Sequence, residues 1–292
     1  MNPEIISADY RLEVDLKKCA MDISINGLDI FSYYGNGPIN TLIGVGEYLK
    51  SKENKIKFTT WPSNNSKDIF DSDSICNLTL KSRNRFEDEN YSDFFKIKYS
   101  PNENIDHNTS EKSINIIVMN KYWGNVSKKE NIHHDSDNYY YEYTQTFDII
   151  NDFPEWKWVN SYKISDNIKN TSSLSQPYQA LLESAYEEYW SFLQSKDLSK
   201  LKKIHSEMLN ESVMANGGTI ESYFLSLGLD ETTNNSEVEL LPLKFEELEI
   251  VLDGRVIYME PSPLRYLNKE KDTTLFIFPK FRFDGNKFIV TR

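Results

Sequence analysis

Leu12, Val14 and Leu16 alternate with Arg11, Glu13 and Asp15, a period of two that predicts a strand with one buried face. Met21, Ile23 and Ile25 repeat the pattern, Asn26-Gly27 supplies a type I′ turn, and Leu28, Ile30 and Phe31 return beyond it. Further strand-like runs lie at 54–61, 75–80, 94–99, 114–120, 139–147 and 156–164. Between them, 39–49 reads as a connector and 121–138 as a long excursion. About eight strands with no convincing helix predict a β-sandwich or jelly-roll-like body over residues 1–165. Residues 166–176, rich in Asn, Ser and Thr, read as a linker.

The period changes at Pro177. Leu181, Leu182, Ala185, Tyr186, Tyr189, Phe192 and Leu193 recur at helical spacing and define one buried stripe. Ser175 and Pro177 suit the start of that helix, and Ser195-Lys196-Asp197 ends it. Leu198, Leu201, Ile204, Met208 and Leu209 predict a second helix running to Asn216-Gly217-Gly218. A third, at 220–227, stops at Gly228. Strand patterns then hold to Arg292, with Asp253-Gly254 as a tight hairpin turn. Helices followed by a meandering antiparallel sheet predict an α+β roll over residues 177–292. The whole chain is therefore expected to be a two-domain α+β protein.

Composition narrows the function more than the fold. The net charge is −12, and neither half of the chain is basic, which argues against phosphate-led nucleic-acid binding. An acidic surface suits solubility, or a basic protein partner reached by electrostatic steering. The chain has no 18-residue apolar run, so no membrane span is expected. Its first residues do not read as a signal peptide; a cytoplasmic location is expected, or a periplasmic one if a leader has been removed. Cys19 and Cys76 both sit in apolar runs, and two buried thiols are favoured over a disulfide.

No residue set carries an obvious reaction. There are four histidines. His205 follows the core position Ile204 and reads as a surface or boundary residue. His133 and His134, with Asp135 and Asp137, lack a third fixed ligand for a metal, and His107 lies in a polar loop. No nucleophile elbow, P-loop or dinucleotide fingerprint occurs. Catalytic residues, cofactor and metal are therefore expected to be none. The features left are acidic and aromatic: Glu237, Glu239, Glu246, Glu247 and Glu249 around the start of the C-terminal sheet, and Trp123, Tyr139 and Tyr141 flanking the long excursion. Acidic runs are usually solvated faces, but aromatics on loops serve as interface anchors.

Residues 177–292 resemble the NTF2-like (SnoaL-like) fold in order of elements, above all in the helix ending Ser195-Lys196-Asp197-Leu198 and restarting at that Asp-Leu. That likeness implies a ligand-binding or catalytic domain with an accessory sandwich, and leaves open a homodimer through the C-terminal sheet. The whole chain is similar to two-domain bacterial immunity proteins encoded beside type VI secretion or Rhs toxins. The likeness is carried by Ile23-Ser24-Ile25-Asn26-Gly27, Pro154-Glu155-Trp156-Lys157-Trp158 and Phe288-Ile289-Val290-Thr291-Arg292. It implies a protein that performs no chemistry and neutralises one cognate, possibly basic, secreted toxin by direct contact. A structural or adhesive surface protein is the third alternative.

Overall fold

The structure, a computed structural model, describes residues 5–35, 37–63, 71, 73–99, 114–117, 126–135, 138–149, 154–162, 164, 176–245, 249–253 and 255–292, with backbone alone at 98–99, 114–117, 126–135, 138–141, 176 and 249–253. It is mixed α+β, and every described strand pairing is antiparallel. Packing divides the chain at Glu155/Trp156 into two compact units.

The first unit holds ten described strands: β1 (Ala8–Lys17), β2 (Cys19–Ile25), β3 (Leu28–Tyr33), β4 (Ile39–Gly44), β5 (Asn54–Pro62), β6 (Ile75–Asn84), β7 (Ser92–Tyr99), β8 (Ile114–Ile117), β9 (Val126–Asp135) and β10 (Asn138–Phe147). They form two sheets, in the orders β4-β1-β6-β7-β8 and β3-β2-β5-β10-β9. The alternation in β1 and β2 sends Leu12, Val14, Leu16, Met21, Ile23 and Ile25 into the core. Asn26 (φ +53°) and Gly27 (φ +85°) both adopt the positive φ that the two-residue hairpin turn requires. The two sheets meet through rings: Phe147 of β10 lies 5.9 and 5.3 Å from Phe94 and Phe95 of β7.

Several expectations are corrected here. The connector at 39–49 contains strand β4 followed by a 3-10 turn at Gly46–Tyr48, because Ile39–Gly44 pairs along β1. The excursion at 121–138 contains β9, paired along all of β10. Cys19 and Cys76 are buried as expected, but they are joined as a disulfide, not held as two thiols. Leu16 pairs with Cys76 across β1 and β6, and Cys19 begins the next strand after the turn at Lys18. That register brings two cysteines 57 residues apart together between the sheets.

The second unit opens with turns at 157–160, where a closing strand of the first body was expected. Ion pairs and hydrogen bonds hold this segment to the helices and sheet that follow: the Lys157 N–H donates to Glu211 Oε1 (2.8 Å), and Ser161 Oγ donates to the Arg255 carbonyl (3.1 Å). Five helices come next: α1 (Gln176–Gln194), α2 (Leu198–Ile204), α3 (Ser206–Asn216), α4 (Ile220–Ser226) and α5 (Leu229–Asn234). The stripe on α1 buries Leu182, Tyr186, Tyr189 and Leu193, while Leu181 stays partly in solvent. The Tyr186 hydroxyl accepts from the Met259 N–H (2.9 Å), which fixes α1 to the sheet. Asp197 caps α2 by accepting from the Lys200 N–H (3.0 Å). The expected single helix over 198–216 is instead two, α2 and α3, because His205 turns out of the helix between them (φ −84°, ψ 0°). Gly228, expected as a stop, also starts α5 in the left-handed conformation (φ +65°).

The strands are β11 (Val238–Leu240), β12 (Glu249–Asp253), β13 (Val256–Glu260), β14 (Arg265–Asn268), β15 (Thr273–Phe276), β16 (Phe281–Phe283) and β17 (Phe288–Val290). They make two sheets, ordered β11-β14-β15 and β12-β13-β16-β17. One apolar core joins α1 to both sheets through Tyr186, Tyr189, Ile257, Tyr266 and Phe281. The linker expected at 166–176 lies outside the described residues except for Gln176. Among the described residues, no helix is long and apolar enough to cross a membrane.

Candidate partner-binding surface

The sheet β11-β14-β15 has one face on the core and one open. In β14, Tyr266 and Asn268 are buried while Arg265 and Leu267 are half-buried, so alternation assigns the second pair to the open face. Glu239 stands opposite Leu267, and Leu267 opposite Thr274, which places all three on that side. Phe276 stands opposite Arg265. The rings of Phe276 and Phe278 stack 5.7 Å apart and are 39% and 48% exposed. Every residue of β15 is exposed. Glu239 pairs with Lys269 (2.6 Å) at the border of the patch. Arg265 Nε is buried against the sheet and has no hydrogen-bond partner. An aromatic pair beside an arginine, edged by charges, is the composition of a protein-binding surface.

The acidic residues named from sequence divide around this patch. Glu239 lies on it, and Glu237 is exposed just before β11, where its carbonyl accepts from the Lys269 N–H (3.1 Å). Glu249 opens β12, in the other sheet, opposite Glu260. In the first unit, Tyr139 pairs with His134, and Tyr141 stands between Ile132 and Thr60. The side chains of Glu249, Tyr139 and Tyr141, and all of Trp123, Glu246 and Glu247, lie outside the described residues. Phe276, Phe278 and Arg265 were missed. The run Thr273–Phe278 carries no polar alternation, so it reads as a buried strand, and only the sheet order shows that it is an edge.

His205 is a further correction. The turn between α2 and α3 places it in the core, 4% exposed, where a surface or boundary position was expected. Its Nδ1 lies 2.8 Å from the Leu201 carbonyl, which can only accept, so Nδ1 carries the proton. Nε2 is then the acceptor for the Tyr189 hydroxyl at 3.2 Å. Burial holds His205 below the ordinary imidazole range, against the smaller upward pull of the Leu201 carbonyl. Burial also raises the Tyr189 hydroxyl well above its ordinary value. The Tyr266 hydroxyl is buried in the same core without a hydrogen-bond partner and is pushed up to about 12.

A pH dependence follows. Because His205 is depressed in the folded state, its contribution to stability is intact above the unfolded value of ~6.5 and is lost as pH falls from there toward the folded value. Melting curves of the parent and His205→Gln between about pH 8 and 5 are expected to converge or cross on the acid side. Parallel curves would show that His205 does not titrate in this window.

The first unit has its own charged cluster, built on the nominally outward side of β1. Asp9 is 1% exposed. It accepts from Tyr91 Oη (2.6 Å), Arg11 Nε (2.9 Å) and Arg83 Nε (3.1 Å). Arg85 lies 3.5 Å away, and burial lowers its guanidinium below the ordinary value. This cluster ties β1 and β6 to the loop preceding β7. Compared with protein-family models, with curated proteins and with solved structures, the chain gives no match.

Proposed function

We propose that this chain is a binding protein of the toxin-neutralising kind, acting by direct contact with one cognate secreted toxin and performing no chemistry. The observation that carries the reading is the open face of β11-β14-β15: Phe276 and Phe278 stacked and exposed, with the Glu239–Lys269 pair at the border. Apolar rings left in water imply a partner that covers them. The net charge of −12 adds long-range attraction for a toxin that is basic overall. The helices-then-sheet order of the second unit supports an NTF2-like scaffold used here as a platform.

The test is binding kinetics against the product of the neighbouring reading frame, at low and high salt. Truncating an interface aromatic costs ~2 kcal/mol, so Phe276→Ala and Phe278→Ala are each expected to speed dissociation about 30-fold. Glu239→Lys is expected to slow association chiefly at low salt, as charges at an interface border do. Variants that bind like the parent would move the contact elsewhere, to the expected candidates around Trp123 among others.

A second reading, a ligand-binding or catalytic domain, is favoured by the Tyr189–His205 pair and the orphan Tyr266 hydroxyl. It takes over if the neighbouring product does not bind, yet a small molecule raises the melting temperature of the parent and not of Tyr266→Phe.

A further inference from the structure

β15 ends its sheet, and no described strand lies along its outer side. Its backbone is bonded on the inner side. The Ile277 N–H donates to the Leu264 carbonyl (3.0 Å), and the Ile277 carbonyl accepts from Ser262 Oγ. In the same register, Leu275 stands opposite Tyr266 and Thr273 opposite Asn268. Thr273, Leu275 and Ile277 therefore turn their N–H and C=O groups toward β14, and Thr274 and Phe276 turn theirs outward. Phe278 follows in the same alternation. The usual protection of an edge is missing: Thr273–Phe276 contains no charge, proline or bulge, and all four residues are exposed. The free stretch is bounded at both ends. Asp272 leaves the extended conformation on one side (φ +48°), and Pro279 has no N–H on the other.

We infer that the toxin is held as an added strand: an extended segment of it lies along β15, continues the sheet, and bonds to the outward groups of Thr274, Phe276 and Phe278. This rests on the partner reading above and says what the partner presents there. Thr274 stands opposite Leu267 and Phe276 opposite Arg265, so the residues with outward backbone groups also carry their side chains on the open face. Residues of the added strand that pair with them lie over Phe276 and Phe278 on that face. The residues between fall on the other face, beside Leu275, which is 45% exposed. Both faces of the segment therefore meet apolar surface. It is a short uncharged run, about five residues long to match 274–278. In such additions main-chain bonds supply affinity, and alternate side chains select the partner. One segment thus covers the rings and satisfies the free backbone groups together. The charge of −12 favours a basic chain in this place over a second copy, which it repels.

The test is residue-resolved amide hydrogen exchange on the full chain, with and without the purified product of the neighbouring reading frame. In the free chain, the Leu275 and Ile277 amides are expected to be protected and those of Thr274 and Phe276 to exchange freely. On binding, the Thr274 and Phe276 amides are expected to slow at least ~10-fold. Thr274→Pro removes an outward donor and leaves the β14 pairing intact, so it is expected to weaken binding at least ~10-fold at an unchanged melting temperature. Thr274→Val keeps the donor and is expected to bind like the parent. If Thr274→Pro does not fold, exchange in the parent decides. Binding that Phe276→Ala weakens, while the Thr274 and Phe276 amides exchange as in the free chain, would overturn the added strand and leave the partner reading standing. No binding by the parent would overturn both. Protection of the two amides in the chain alone, rising with its concentration, would give the edge to a second copy and overturn the proposal.

Discussion

Glu211→Ala is expected to destabilise the C-terminal unit by about 3–5 kcal/mol, the range for removing one partner of a buried ion pair. The carboxylate is 8% exposed and the Arg292 side chain 3%. Glu211 Oε2 accepts from Arg292 Nη1 (2.8 Å) while Oε1 accepts from the Lys157 N–H (2.8 Å). One side chain therefore joins α3 to Arg292, just beyond β17, and to the segment carrying Trp156 and Trp158. Its loss leaves the Arg292 guanidinium buried without that carboxylate, beneath the ring of Trp158 (5.8 Å). Glu211→Gln keeps an acceptor for Lys157 and should cost less than alanine. One turn earlier on α3, Glu207 takes Arg282 through two bonds of 2.6 Å. Burial alone would raise the Glu207 carboxyl, but those bonds hold it below the ordinary range. The exposed pair Lys202–Glu221 is the control, and Glu221→Ala should change stability by less than ~1 kcal/mol. Urea unfolding followed by tryptophan fluorescence measures all three. A midpoint for Glu211→Ala close to that of Glu221→Ala would show that the pair does not hold the unit together.

What the sequence made legible, and what it hid, follows from the range of the interactions involved. The β1 alternation, the Asn26-Gly27 turn and the α1 stripe are set by neighbours a few residues away, and each stands where its period places it. Strand β4 has no such signature. Asn40 and Thr41 interrupt its apolar residues, and it is a strand because it lies along β1. His205 looked peripheral because one continuous helix would turn it off the apolar face. The break between α2 and α3 reverses that, and no proline or glycine marks it. The surface patch was hidden for the opposite reason. Six residues, Thr-Thr-Leu-Phe-Ile-Phe at 273–278, have the composition of a core strand. Only the order β11-β14-β15 makes them an edge, and strand order is a non-local outcome. Glu239, by contrast, was accessible as an acidic residue leading into a strand, and it borders that patch.

The same non-local register joins Cys19 to Cys76, and opening that bond is the other large expected effect. In the chain-entropy account, a link between residues 57 apart removes disorder from the unfolded chain worth about 4 kcal/mol. The Cys19→Ser/Cys76→Ser double variant is therefore expected to lose about that much from the first unit. The surrounding core sets how much is recovered: both positions are buried beside Leu16, Leu78 and Ile75, so two hydroxyls in place of the sulfurs also need acceptors there. Cys19→Ala/Cys76→Ala avoids that second cost and separates the two contributions. A bond of this kind persists in oxidising surroundings and opens in reducing ones, so the unit's stability becomes a function of compartment. Protein purified without reductant and unfolded in iodoacetamide should take up no label, and should take up two after reduction. Its unfolding midpoint should fall with added reductant, while the alanine pair stays constant. Label on both cysteines before any reduction, together with a midpoint indifferent to reductant, would return them to the buried thiols that their apolar surroundings first suggested.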